Sequence, residues 1–313
     1  MSTLRNVLLF PVLVSMLMVG CSQSVSETDA TSSISMQDSS LTTVDDSFTS
    51  TDRNEVIDTI FYKGTISING HDNAIDSKYL AEFASCLYGD IEAININNLQ
   101  GIESLSYFEN CYISTVKEVR ISNCPDMTDV SLISQMPALE RLEITHAPVS
   151  DLSSAELDTK KQLRDIYIID TAIDDIGCVS GIERLYSFLI ADCPLPSEID
   201  ICNLPALTSL TIYRCGIEAI SVNNCPNLVG VVLADNNISE IDSLIDCGIE
   251  YQLQIEHNPV SYEDIISFAE KNPNCMLYVS GDHFTEDELE SLSAYDTIVA
   301  VGRQYDTVIA EDL

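Results

Sequence analysis

The chain has 313 residues, with 14 Lys and Arg against 50 Asp and Glu, for a formal net charge of −36. Nucleic acid and anionic lipid surfaces would both repel so negative a protein, so neither is an expected partner. Only 20% of residues are charged and 45% are apolar, which is enough for a core, and the length alone suits about two domains.

The first element is a targeting segment. Arg5 precedes an apolar run from Val7 to Val19, shorter than the about 20 residues needed to span hydrocarbon. Residues 1–20 therefore read as a secretory signal peptide rather than a membrane helix. The segment ends Met18-Val19-Gly20-Cys21, which resembles a bacterial lipobox: small residues before a Cys that is lipidated and becomes the new N-terminus. Met18 stands where that pattern prefers Leu. The resemblance implies that Cys21 carries a lipid anchor, that this anchor is the sole membrane contact, and that the protein sits in the bacterial envelope outside the cytoplasm. Residues 21–55 follow, rich in Ser, Thr and Asp, with no helical or strand periodicity. Such a stretch cannot bury enough apolar surface to offset its ordering entropy, so a flexible tether is expected.

From residue 56 to 313 the chain reads as one folded unit. Ile66 and Ile68 suggest a first strand, and a helical stretch follows around Lys78 to Cys86. Next comes a repeat of the form L-x-x-L-x-L-x-x-N/C-x-L. Leu139, Leu142, Ile144, Ala147 and Val149 fit it in register; Leu163, Ile166, Ile168, Thr171 and Ile173 form the following copy. Copies starting at 116, 139, 163, 185, 207 and 228 are spaced by 23, 24, 22, 22 and 21 residues. Weaker copies begin at Ile91 and Glu250, and Leu277 to Phe284 is more degenerate still. Helices are expected over 153–162 and 262–271, with a capping box at Thr285-x-x-Glu288 and a last strand at Ile298 to Val301.

This pattern resembles the leucine-rich-repeat family. The resemblance implies an α/β-type repeat solenoid, curved and right-handed, of about 8–10 turns. A parallel sheet would form the concave face, and short helical or irregular segments the convex side. One turn cannot bury its apolar side alone; stacked turns share a core, and the degenerate ends cap it.

Cys124, Cys193 and Cys215 fall on the ninth repeat position, while Cys225 and Cys247 lie three residues before a repeat start, where Met136, Ile182 and Leu204 stand in other turns. Free thiols acting as small core hydrophobes explain this placement. Bridges such as Cys193–Cys215 or Cys202–Cys225 also fit the spacing of adjacent turns. There is no C-x-x-C, so zinc is not expected.

Catalytic signals are sparse. The four His residues, His71, His146, His257 and His283, sit in no recognisable catalytic motif, and no P-loop or dinucleotide fingerprint occurs. Asp174-Asp175 and Asp282-x-x-x-Glu286 lack the dense spacing of dedicated calcium loops. No enzyme activity, cofactor or metal is expected. The informative positions are the variable ones on the sheet. They hold Lys117, Arg120, Arg141 and Arg164, then Tyr167, Ile169, Tyr186, Leu189, Tyr213 and Val232, with Arg214 alongside. In a chain so poor in basic residues this reads as a local reversal of charge, and exposed Tyr and aliphatic groups beside Arg match the composition of binding hot spots. Arg120, Arg141, Arg164, Tyr167, Leu189, Tyr213 and Val232 are the expected partner-binding residues, with Tyr213, Tyr167 and Arg141 as anchors. The chain is similar to bacterial leucine-rich-repeat adhesion and recognition proteins, which implies an extracellular protein partner, from host or envelope. The alternatives are a structural envelope lipoprotein without a specific ligand and a polysaccharide-binding module.

Overall fold

The computed structural model describes residues 47–51, 58–74 and 77–302. The signal segment, Cys21 and the tether up to residue 46 lie outside the described residues. Strands β1 (Ser47–Thr51), β2 (Asp58–Tyr62) and β3 (Thr65–Ala74) form an antiparallel start to the sheet. The end of the segment expected as tether is thus strand β1, paired residue for residue with β2 from Ser47↔Tyr62 to Thr51↔Asp58. Pairing supplies the backbone hydrogen bonds that its composition gave no reason to expect. Lys63 and Gly64 join β2 to β3 with φ of 48° and 78°, the two positive values a two-residue type I′ hairpin turn requires. Helix α1 (Ser77–Ser85) covers this end with Leu80, Phe83 and Ala84.

From β3 onward every pairing is parallel. The strands are β4 (Ala93–Gln100), β5 (Glu118–Ser122), β6 (Arg141–Ala147), β7 (Asp165–Thr171) and β8 (Ser187–Ala191), then β10 (Ser209–Tyr213), β12 (Gly230–Val232), β13 (Gln252–Gln254), β14 (Met276–Ser280) and β15 (Ile298–Val301). Between them β9 (Glu198–Cys202) and β11 (Ala219–Asn223) leave the main sheet and pair with each other at the rear. Register follows the repeat: Ile96, Ile121, Ile144, Ile168, Ile190 and Ile212 stand opposite one another and are fully buried. β-Branched side chains suit such a pleated, packed row, and burying each one contributes about 2 kcal/mol. Helices α2 (Asp242–Ile245), α3 (Tyr262–Lys271) and α4 (Glu286–Leu292) lie towards the C-terminal end. The last begins with the expected capping box between Thr285 and Glu288. Among the described residues no helix is long and apolar enough to cross a membrane.

Each turn bends at its eighth residue. Asn98, Asn123, His146, Asp170, Asp192, Arg214, Asp235 and His257 all have φ between 50° and 56°. Asn, Asp and His tolerate this left-handed conformation best among residues with a Cβ. The ninth residue then points inward. Asn236 and Asn258 there bond to several backbone groups at once. Cys124, Cys193 and Cys215 donate instead to the carbonyl two residues earlier, at 3.3, 3.2 and 3.3 Å. All ten described Cys are free thiols. Burial pushes the Cys124 thiol up to about 11 and that of Cys215 to about 12, so both stay protonated donors at neutral pH.

The expected helix over 153–162 is instead two short 3-10 turns, Ser153–Ala155 and Leu157–Thr159. Glu156 between them is left-handed at φ 51°, which stops any helix but lets Ala155 and Leu157 both face the core. Just beyond, Lys160 fills the slot that Ile113, Met136, Ile182 and Leu204 fill in other turns, and is only 2% exposed. Its Nζ donates to the Ser134 carbonyl at 2.7 Å. Desolvation holds its pKa below the ordinary 10.5. Lys160→Met is expected to raise stability by about 1 kcal/mol at pH 7 in urea titrations. A pKa lowered in the folded state means the unfolded chain binds more protons between the two values, so the native protein gains stability as pH rises through them. The advantage of Lys160→Met must therefore shrink towards pH 11. A constant gap would show that the charge is not what Met relieves.

Candidate functional site: the concave face of the sheet

The outward positions of the parallel strands form three rows across adjacent turns. The middle row runs Asn95, Arg120, Glu143, Tyr167, Leu189, Thr211, Val232, Gln254 and Tyr278. A second row carries Glu118, Arg141, Asp165 and Ser187, and a third carries Ser122, Thr145, Ile169, Ala191 and Tyr213. Arg120, Arg141, Tyr167 and Tyr213 thus share one face, as their spacing implies. Arg164 is exposed and lies one residue before β7, off these rows. Leu189 and Val232 are corrections: at 6% and 8% exposure they form the floor of the face rather than contact points. Their neighbours in the row, Tyr167 on one side and Thr211 between them, leave little of either side chain open.

The expected reversal of charge is also corrected. Arg120 pairs with Glu118 and approaches Glu143 at 3.6 Å, and Arg141 reaches the same Glu143 at 3.4 Å. Lys117 pairs with Glu92 at 3.4 Å. Arg214 makes a two-pronged contact with Asp192, both bonds 2.8 Å. Glu118 and Glu143 lie two residues from Arg120 and Arg141 on the same strands, and neighbouring turns bring Glu143, Glu92 and Asp192 to Arg120, Lys117 and Arg214, so these basic residues are neutralised inside the sheet. Arg164, by contrast, makes no ion pair with a carboxylate among the described residues, yet with Arg141 it helps offset the burial that raises the pKa of Asp165.

Two tyrosines are held by guanidinium groups. Arg141 lies over the Tyr167 ring at 4.7 Å and Arg214 over Tyr213 at 4.5 Å. Burial first, then the Asp235 carboxylate, push the Tyr213 hydroxyl up to about 12. Asp235 in turn meets His257 Nδ1 at 2.8 Å.

Sequence reading passed over the eighth-position column of His146, Asp170, Asp192, Asp235 and His257. The signal was present, because that position holds a polar or charged residue in every turn from Asn98 to His257. Glu256 was passed over as well. It is half-buried, which raises its carboxyl pKa, and its Oε2 accepts no hydrogen bond. Among the described residues no group of three or more His, Cys, Asp or Glu is placed to hold a metal ion.

No protein-family model and no curated protein sequence matches this chain. Solved structures do. The functional domain of InlJ from Listeria monocytogenes, described as including a cysteine ladder, is 18% identical with a TM-score of 0.51. The match covers 66% of this chain and 41% of that one, so the chain spans less than half the length of that domain. The internalin C2 of the same organism is 19% identical over 63% of this chain and 80% of that one, with a TM-score of 0.45. A leucine-rich-repeat protein of Leptospira interrogans is 10% identical, covering 63% and 74%, with a TM-score of 0.33. At such identities what the likeness to the InlJ domain establishes is architecture: the chain folds as a leucine-rich-repeat solenoid.

Proposed function

We propose that this is a surface-anchored recognition protein: a lipid on Cys21, a tether, and a solenoid that binds an extracellular protein through its concave sheet. The observation that carries the reading is the face itself. Arg120, Arg141, Tyr167 and Tyr213 are displayed on paired strands, with each Arg and Tyr side chain already fixed by an ion pair or ring contact. Side chains immobilised before binding lose little entropy on contact, and Tyr and Arg supply large contact areas. Arg141→Glu combined with Tyr213→Ala is expected to weaken binding of a partner captured from host or envelope extracts at least tenfold, a loss of about 1.4 kcal/mol. Unchanged binding by a folded double variant would sink the reading. Saturable binding on a glycan array would replace it with the polysaccharide alternative, and a mass spectrum showing unmodified Cys21 would remove the anchor.

A further inference from the structure

The two guanidinium–tyrosine stacks on the face are built from the same three parts. Arg141 lies over Tyr167 while bonding to Glu143, and Arg214 lies over Tyr213 while bonding to Asp192. Each unit is a tyrosine ring, a carboxylate on a neighbouring strand or corner, and an arginine that joins them. The geometry suits arginine because a flat guanidinium stacks on a ring and bonds a carboxylate at once.

Towards the C-terminal end two of the three parts recur. Tyr278 stands directly opposite Gln254, and Glu256 follows Gln254 by two residues on the same outward side. Ring and carboxylate are thus diagonal neighbours on adjacent strands, and burial first, then Tyr251 and Glu256, raise the pKa of the Tyr278 hydroxyl. Tyr278 and Glu256 are both partly exposed, and Glu256 Oε2 is itself enclosed and has no hydrogen-bond partner. Among the described residues no arginine supplies the third part; Arg303 lies outside them. From Cys215 to Glu270 the sequence contains no Lys or Arg and ten Asp and Glu, so this stretch cannot supply it. Lys271, the next base, pairs with Asp246 at 2.7 Å.

We infer that Tyr278 and Glu256 receive an arginine side chain from a basic polypeptide partner, completing on binding the unit that Arg141 and Arg214 complete within the chain. This rests on the concave face being the binding face and adds the chemistry of what it binds. A half-buried carboxylate whose enclosed oxygen lacks a partner gains more from a guanidinium than an exposed one does, once the side chain turns to meet it, and the surplus of acid in this stretch draws a basic chain.

The test uses the mature chain and a blocked hexapeptide of alternating Arg and Gly, titrated in about 0.15 M salt, where long-range attraction is screened. Glu256→Gln and Tyr278→Ala are each expected to weaken this peptide about fivefold or more, while the Lys–Gly counterpart binds less tightly to the native protein. Glu198→Gln with Asp200→Asn, on exposed positions of rear strand β9, removes charge elsewhere and is expected to change affinity less than twofold. Equal losses in the rear variant would overturn the inference, since binding would then follow net charge. So would a peptide indifferent to both Glu256→Gln and Tyr278→Ala. If Arg141→Glu with Tyr213→Ala abolishes partner binding while Glu256→Gln affects neither partner nor peptide, this inference falls and the recognition reading stands. If neither variant affects the partner, both fall.

Discussion

Asn236→Ala is expected to remove about 4 kcal/mol of stability, without any loss of apolar packing. The Asn236 amide nitrogen lies within 2.9 Å of the Ile212 and Leu233 carbonyls and 3.2 Å of Ala234, and its oxygen accepts from Cys215 N–H at 3.0 Å and Ile217 N–H at 3.4 Å. These groups belong to two successive turns, so one side chain closes the bend of its own turn and ties it to the turn before. Alanine would leave at least one N–H and one carbonyl buried and unpaired, each costing about 1–3 kcal/mol. Cys193 and Cys215 show how a thiol manages the same position: it donates to a carbonyl but offers little to an N–H. Asn236→Cys should therefore lose roughly half as much as Asn236→Ala. Urea midpoints for the two variants decide the matter; equal losses would mean that the polar bonding of the corner is not what holds it.

Gly70→Ala is expected to cost about 3 kcal/mol and to loosen the N-terminal end selectively. A Cβ on Gly70 would lie 2.5 Å from the Asn98 carbonyl oxygen, 2.6 Å from Leu99 Cδ1 and 2.9 Å from Leu99 Cα. Two of the three atoms are backbone and cannot swing aside, so the strands must part. This is also where the pairing of β3 with β4 shifts, between Asn69↔Asn97 and Asn73↔Leu99. Stability in a solenoid resides in each turn and its contacts with the next. Hydrogen exchange should show lost protection in β3 and β4 with β7, β8 and β10 still protected. Uniform loss across all strands would contradict a local cause.

The core of turns 116 to 238 was legible because the buried rows recur at fixed intervals, and Leu142, Ile166 and Phe188 stand opposite one another as that spacing requires. The rear strands were legible in principle. Ile199 and Ile201, like Ile220 and Val222, alternate with polar residues, but the repeat template assigned them to linkers. Glu156 gave no comparable sign, since nothing in its type favours the left-handed backbone that splits 153–162 into two turns. For the face, composition identified the right residue types and the wrong electrostatics. Arg120 and Glu143 are 23 residues apart in sequence yet approach to 3.6 Å, and a sum of charges along the chain does not contain that proximity. Burial of Leu189 and Val232 likewise depends on which residues flank them across strands.

The unbroken register from β4 to β8 and on through β10 to β14 makes the molecule behave as a ruler. Duplicating or deleting one whole turn, such as residues 139–162, would leave every surviving row aligned and change the length of the face by about 4.8 Å. Losing a single residue inside a strand would instead turn its buried side chains outward. The span of the face can therefore change only in steps of one turn, and the size of the surface it matches is counted in the same steps.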